Sequence, residues 1–144
     1  MVATFDRLGI SFQYPENWTL DDSDARQGVR AVAVYSPGGA FWSVMVHPTE
    51  AALHELLDSA LAAMREEYAE LESEPVTENI GGYESRGYDM NFYYLDLTST
   101  ARVRAIETPE AKLVVFCQAD DAELAVVERV FAAMTVSLLR GLAA

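Results

Sequence analysis

The sequence predicts an α+β fold: an antiparallel β-sheet with one helix over each face. Three observations carry this. Short strand-like segments fill the first third and return in the second half, with one long amphipathic segment between the groups and another after them. Grouped strands and helices, in place of a βαβ alternation, mark α+β architecture. Several strands are apolar on both faces, which demands cover above and below. The chain of 144 residues, 51% of them hydrophobic, suits a single domain over 1–144, large enough for a core without metals or disulfides.

Strands are expected at 3–6, 10–14, 29–36 and 40–47. Ile10, Phe12 and Tyr14 alternate with polar neighbours, Pro15 removes a ladder donor, and Trp18 supplies an apolar body to plug the core edge. Ser36-Pro37-Gly38-Gly39 reads as the turn of a hairpin. Val32 and Val34 alternate with Ala31, Ala33 and Tyr35, and Trp42, Val44 and Val46 with Phe41 and Met45, so both faces are largely apolar.

Leu53, Leu56, Leu57, Ala60, Leu61, Met64, Tyr68 and Leu71 recur at spacings of three and four, a helical stripe that Thr49 can cap and Pro75 ends. Glu66, Glu67, Glu70, Glu72 and Glu74 crowd its C-terminal half and oppose the helix dipole. Strands follow at about 76–80, 83–95, 99–108 and 111–119. Turns centred on Leu97-Thr98 and Pro109-Glu110 give two faces. One holds Tyr88, Met90, Phe92, Tyr94, Ala101, Val103, Ala105, Val114 and Phe116, and Glu107 stands opposite Lys112. The other starts polar with Asp89, Asn91, Tyr93, Thr100, Arg102 and Arg104 and turns apolar through Ile106, Leu113, Val115 and Cys117. A last helix begins at Asp120, a capping residue, with Glu123 in its first turn and a stripe through Leu124, Val127, Phe131, Met134 and Leu138.

The segments Gly9-Ile10-Ser11-Phe12-Gln13-Tyr14-Pro15-Glu16-Asn17-Trp18, Asn79-Ile80-Gly81-Gly82-Tyr83-Glu84-Ser85-Arg86-Gly87-Tyr88 and Phe131-Ala132-Ala133-Met134-Thr135-Val136-Ser137-Leu138, taken with the element order, resemble the PsbP-like superfamily. That superfamily includes the photosystem II extrinsic protein, a Ran-binding import factor and bacterial DcrB-type proteins. The resemblance implies about six antiparallel strands between helices, in α/β/α layers. It implies no shared active site, its members being chiefly binding, assembly or secretion-associated proteins. One bacterial branch is similar to intracellular chaperones that shield apolar segments of secreted effectors.

Net charge is −13, with 23 acids against 10 bases. That balance repels phosphate backbones and anionic membranes, so neither nucleic acid nor membrane is an expected partner. A lone cysteine and the lack of a leader-like N-terminus point to a cytoplasmic protein. His47, His54 and Glu50 fall short of a metal ligand set, and no metal or cofactor is expected. Cys117 reads as a buried inert thiol. There is no Gly-x-Ser-x-Gly elbow, and Gly81-Gly82 lacks the lysine of a phosphate loop, so an enzyme is not expected.

Two surfaces stand out. Asp89, Asn91, Tyr93, Arg102 and Arg104 form a candidate binding patch, where two arginines on one side of a strand could grip a carboxylate or else pair internally with Asp89, Glu84 or a nearby acid. Glu66, Glu67 and Glu70 form a candidate acidic docking surface for a basic partner. The expected function is a non-catalytic binding or assembly domain with a protein partner. Alternatives are a chaperone or adaptor for an apolar segment of a secreted protein, which requires a concave apolar surface and favours a homodimer, and a binder of small anions.

Overall fold

The computed structural model describes residues 1–142. Strands β1 (Val2–Arg7) and β2 (Ile10–Pro15) pair as a hairpin. Strands β3 (Thr19–Asp21), β4 (Ala31–Tyr35), β5 (Phe41–His47), β6 (Glu72–Ile80), β7 (Tyr83–Tyr94), β8 (Leu97–Glu107) and β9 (Lys112–Asp120) form a seven-stranded sheet. Their order is β3-β4-β5-β9-β8-β7-β6, and every pairing is antiparallel. The helices are α1 (Ser23–Arg26), α2 (Leu53–Glu67) and α3 (Asp121–Leu142).

Successive side chains of a strand enter opposite cores. Leu57, Leu61 and Met64 of α2 pack with Met90, Phe92, Ala101 and Val103. Phe131, Met134 and Leu138 of α3 pack with Trp42, Val44, Ile106 and Val115. The two long helices therefore lie on opposite faces, as the two-sided apolar strands require. The β1–β2 hairpin shares the α3 side: the Gln13 backbone N–H donates to Ser137 Oγ at 2.8 Å, and the Phe12 ring lies 4.8 Å from that of Trp42. Trp18 is buried with its ring edge-on to Phe131.

Two polar ties fix α3 to the sheet. The Trp42 indole N–H donates to Thr135 Oγ1 at 3.0 Å, and that hydroxyl donates in turn to the Phe131 carbonyl at 3.1 Å. Asp120 caps the helix by accepting from the Glu123 N–H at 2.9 Å. The Glu123 carboxylate then accepts from Ser36 Oγ (2.8 Å) and the Ala40 N–H (3.0 Å), pinning the β4–β5 turn. Gly38 leaves room for it, since a Cβ there would lie 2.2 Å from Glu123 Oε2.

Several expectations are corrected. The sheet has seven strands where about six were expected, and the N-terminal hairpin stands outside it. β3 and α1, three and four residues long, are too short to show periodicity. Helix α2 is preceded by Ala52 as N-cap, not Thr49, and it ends at Glu67, where Tyr68 turns extended. Glu70 thus lies outside the helix, and Glu72 and Glu74 belong to β6. Pro75 sits inside β6, an edge strand, where a missing N–H is tolerated. The β7–β8 turn is Leu95-Asp96, not Leu97-Thr98, so Tyr94 faces Leu97 instead of Ala101. Because the displacement is even, both faces keep the predicted membership, and Glu107 is the ladder partner of Lys112, although the lysine Nζ donates to the Ala51 carbonyl.

Replacing Thr135 with valine keeps the shape but leaves a buried indole N–H unpaired. Urea unfolding should register a loss of about 1–3 kcal/mol; an unchanged midpoint would show that the tie contributes nothing.

Candidate functional site

On the α3 side, the polar half of β7 and β8 meets β6 and α3 around a cleft of about 430 Å³ lined by Glu78, Asp89, Arg102, Arg104, Cys117 and Glu128, among others. The Arg104 guanidinium is buried and fully engaged. Its Nε donates to Glu78 Oε1 (2.7 Å), Nη2 to Asp89 Oδ1 (2.7 Å), and Nη1 to the carbonyls of Tyr88 (3.2 Å) and Val103 (3.1 Å). Burial works against its charge, yet the bonds to Glu78 and Asp89 prevail and hold its pKa above the ordinary value. Gly87 is the ladder partner of both Arg104 and Val76, so the Arg104–Glu78 bond spans from β8 across β7 to β6. A Cβ at Gly87 would lie 1.7 Å from the Val103 carbonyl oxygen.

Arg102 is less committed. Its Nη1 meets Glu128 Oε1 of α3 at 2.9 Å and its Nε stands 3.9 Å from Asp89 Oδ1. Of the predicted patch, Asp89, Arg102 and Arg104 thus form one network with Glu78 and Glu128, two acids the sequence did not tie to it. Asn91 is apart, donating to Thr100 Oγ1 (3.0 Å), which itself donates to Asp121 Oδ1 (2.7 Å). Tyr93 stands exposed near the hairpin tip. The arginines pair internally with Asp89, whereas Glu84 pairs with Arg86. With three carboxylates against two guanidiniums, the cleft presents no spare positive charge to an anion. Cys117, half-buried at its floor, has a thiol pushed up to about 12 by burial, which outweighs the pull of Arg102 and Arg104 and favours the protonated form.

The α2 side differs. On β4 and β5 the residues facing α3, Val32, Val34, Trp42, Val44 and Val46, are at most 5% exposed. Their alternates facing α2 are more open: Tyr35 and Met45 are each 39% exposed and Ala33, Phe41 and Ser43 are half-buried, while Ala31 at the start of β4 is buried. Helix α2 packs over β7 and β8, α1 over the margin of β4, and a groove of about 460 Å³ runs between them. Ala31, Ala33 and Ser43 make its floor deep. Leu56, Ser59 and Ala60 form the α2 wall, and Asp21, Ser23 and Asp24 the other. The Phe41 ring, stacked on Phe116 at 5.8 Å and tilted against Tyr35 at 5.5 Å, closes one end with them. His47 lies at the far end, its imidazole pKa lowered by desolvation.

The other expected elements do not converge. His47 lines this groove, while His54 lines a separate cleft with Glu84, Arg86, Glu107 and Lys112. Among the described residues, no group of three or more His, Cys, Asp or Glu side chains is placed to hold a metal. None of the helices described is long and apolar enough to cross a membrane. Glu66 and Glu67 end α2 and Glu70 follows in the loop, all exposed. The groove itself was missed in the sequence, although its signal was present: small residues Ala31, Ala33 and Ser43 on an otherwise apolar face.

The architecture is a PsbP-like α+β sandwich. The cyanobacterial PsbP protein (CyanoP) from Synechocystis superposes with a TM-score of 0.63 at 12% identity, over 94% of this chain and 90% of that one. PA94, a Pseudomonas aeruginosa protein of unknown function, matches with a TM-score of 0.58 at 14% identity over 95% of each chain. LpqN of Mycobacterium tuberculosis, involved in cell envelope biogenesis, matches at 0.51 and 13% identity, over 93% of this chain and 87% of that one. No protein-family description and no curated protein matches the sequence.

The two arginines should separate in denaturant unfolding. Arg104→Ala strands two carboxylates and should cost about 2–3 kcal/mol after discounting the exposed side of Glu78. Arg102→Ala should cost under about 1 kcal/mol. Equal costs would contradict the bonding pattern. His47 prefers the neutral form when folded, so its contribution to stability is whole above the free imidazole pKa and is lost as pH falls through its own lower value. His47→Gln should therefore flatten the fall in melting temperature below about pH 6.5; an unaltered pH profile would count against it.

Proposed function

We propose that this chain is a non-catalytic binding protein that shelters an apolar segment of a partner protein in the groove between α1 and α2. The observation that carries the reading is the contrast across β4 and β5, dry on one face and open on the other. An apolar face left open in a monomer favours burial against something else, at roughly 25 cal/mol per Å² of apolar surface removed from water. Each large side chain seated there contributes about 1.5–3 kcal/mol before ordering costs, so two or three anchors suffice for micromolar affinity. The small side chains of Ala33, Ser43, Ser59 and Ala60 let a bulky segment approach closely, and Asp21 and Asp24 on the rim favour basic residues flanking it. An assembly role is in keeping with LpqN, which is involved in cell envelope biogenesis.

The absence of catalysis is part of the same reading. It rests on the thiol of Cys117 being held protonated and on His47 and His54 lying in different clefts. A role for Arg102 and Arg104 in holding a small anion is the weaker alternative, because their charges already serve Glu78, Asp89 and Glu128.

A photo-crosslinking residue at Ser43 in the native host should capture one defined protein through an apolar stretch. Met45→Glu, a change at an exposed position costing within about 0.5 kcal/mol of stability, should abolish that capture. Crosslinking no stronger than from an exposed site on α3, or capture indifferent to Met45→Glu, would refute the reading.

A further inference from the structure

The β7–β8 hairpin ends in an apolar tip that the core does not use. Leu95 is 78% exposed, Tyr93 67%, Leu97 54% and Tyr94 49%. Leu95 and Asp96 are the two central residues of the turn, with φ of 52° and 63°. Asparagine and glycine are the usual occupants of such a turn, and leucine adopts a positive φ there only with backbone strain. Strain on a side chain this exposed points to a role outside the fold.

Tyr94 and Leu97 oppose each other across the strands, on the same face as Met90 and Phe92, the face that α2 covers. That cover runs out before the tip. Helix α2 stops at Glu67, and Tyr68 closes the end by stacking on Phe92 at 4.1 Å and meeting the Tyr94 ring edge-on at 6.1 Å. Tyr94, Leu95 and Leu97 thus form an apolar shelf past the end of the helix. Glu66, Glu67, Glu70 and Asp96 are exposed at this end of the molecule, and among the described residues none of them has a basic side chain in ion-pair contact. Arg65 instead donates to Ser73 Oγ at 3.1 Å.

We propose that this shelf docks a basic amphipathic helix of another protein, its leucine face on Tyr94, Leu95 and Leu97 and its cations on Glu66, Glu67, Glu70 and Asp96. A helix continues the cover that α2 begins, and its apolar stripe matches a narrow shelf. Charge selects among occupants. A second copy of this shelf brings the same carboxylates, and an anionic membrane is repelled by a chain of net charge −13. The shelf shares no residue with the lining of the α1–α2 groove, so it stands independently of the function proposed above.

The test titrates isotope-labelled protein with a short amphipathic helical peptide of leucine and lysine, and separately with its leucine–glutamate counterpart, followed by amide chemical shifts. The leucine–lysine peptide should move amides of residues 66–70 and 93–98, bind more weakly as salt rises, and lose about tenfold in affinity (about 1.4 kcal/mol) when Leu95→Gly and Leu97→Ser are combined. The glutamate peptide should not bind. Leu95→Gly alone should leave the melting temperature unchanged or raise it, because glycine takes a positive φ freely. A marked fall would show that Leu95 serves the fold and would overturn the proposal. So would equal affinity for the double variant, tip-dependent binding of phosphatidylglycerol vesicles, or tip-dependent dimerisation. Shifts confined to the groove around Ala33 and Met45 would also overturn it, while leaving the groove reading intact.

Discussion

A sheet apolar on both faces needs two dry roofs, and this chain supplies them unequally. Seven strands at about 4.8 Å spacing span nearly 30 Å, whereas one helix, about 10–12 Å across, shades two or three strands. On one face the 22-residue α3 is joined by the β1–β2 hairpin, and Trp42 is fully buried between them and the sheet. On the other face the 15-residue α2 stands almost alone, helped only by the four residues of α1. Whatever α2 fails to reach stays wet and apolar. The groove over β4 and β5 and the bare end of the β7–β8 hairpin are two consequences of that one shortage.

The closed face explains how the open one can persist. An exposed apolar surface survives only on a frame rigid enough not to collapse around it. Here the frame is held by directional bonds across the α3 interface: the indole of Trp42 to Thr135, and the carboxylate of Glu123 to the β4–β5 turn. The Arg104 network serves a related purpose toward the other edge, linking β6, β7 and β8 through side chains where the apolar core thins out. A closed core and an open apolar surface thereby lie on opposite faces of the same strands, carried by alternate residues of β4 and β5.

Much of this could be read in the sequence because alternation and helical spacing are local. The assignment of Val103 and Ala105 to one face and Arg104 and Ile106 to the other survived a misplaced turn, since an even displacement preserves parity. The end of α2 was hidden because Tyr68 and Leu71 keep the helical spacing although the backbone has already turned extended at Tyr68. The second half of β6 was expected at 76–80, but its first half was hidden by Pro75, which argues against a strand unless that strand is known to be an edge. The Arg104 network was half visible: the pairing with Asp89 follows from adjacent strands, but Glu78 enters from β6, two strands away, a reach that no nearest-neighbour pairing records. The groove left only its floor in the sequence, as the small residues Ala31, Ala33 and Ser43 on an apolar face; its walls depend on where two helices come to rest, and no local pattern records their separation.

Methionine oxidation footprinting tests the unequal roofing most directly, because the chain carries one methionine on the open floor and three beneath the roofs. Under native conditions with mild peroxide, Met45 should convert to the sulfoxide rapidly while Met64, Met90 and Met134 stay protected until the protein unfolds. Protection of Met45 equal to that of Met90 would mean that the second face is as dry as the first, and the account would fail.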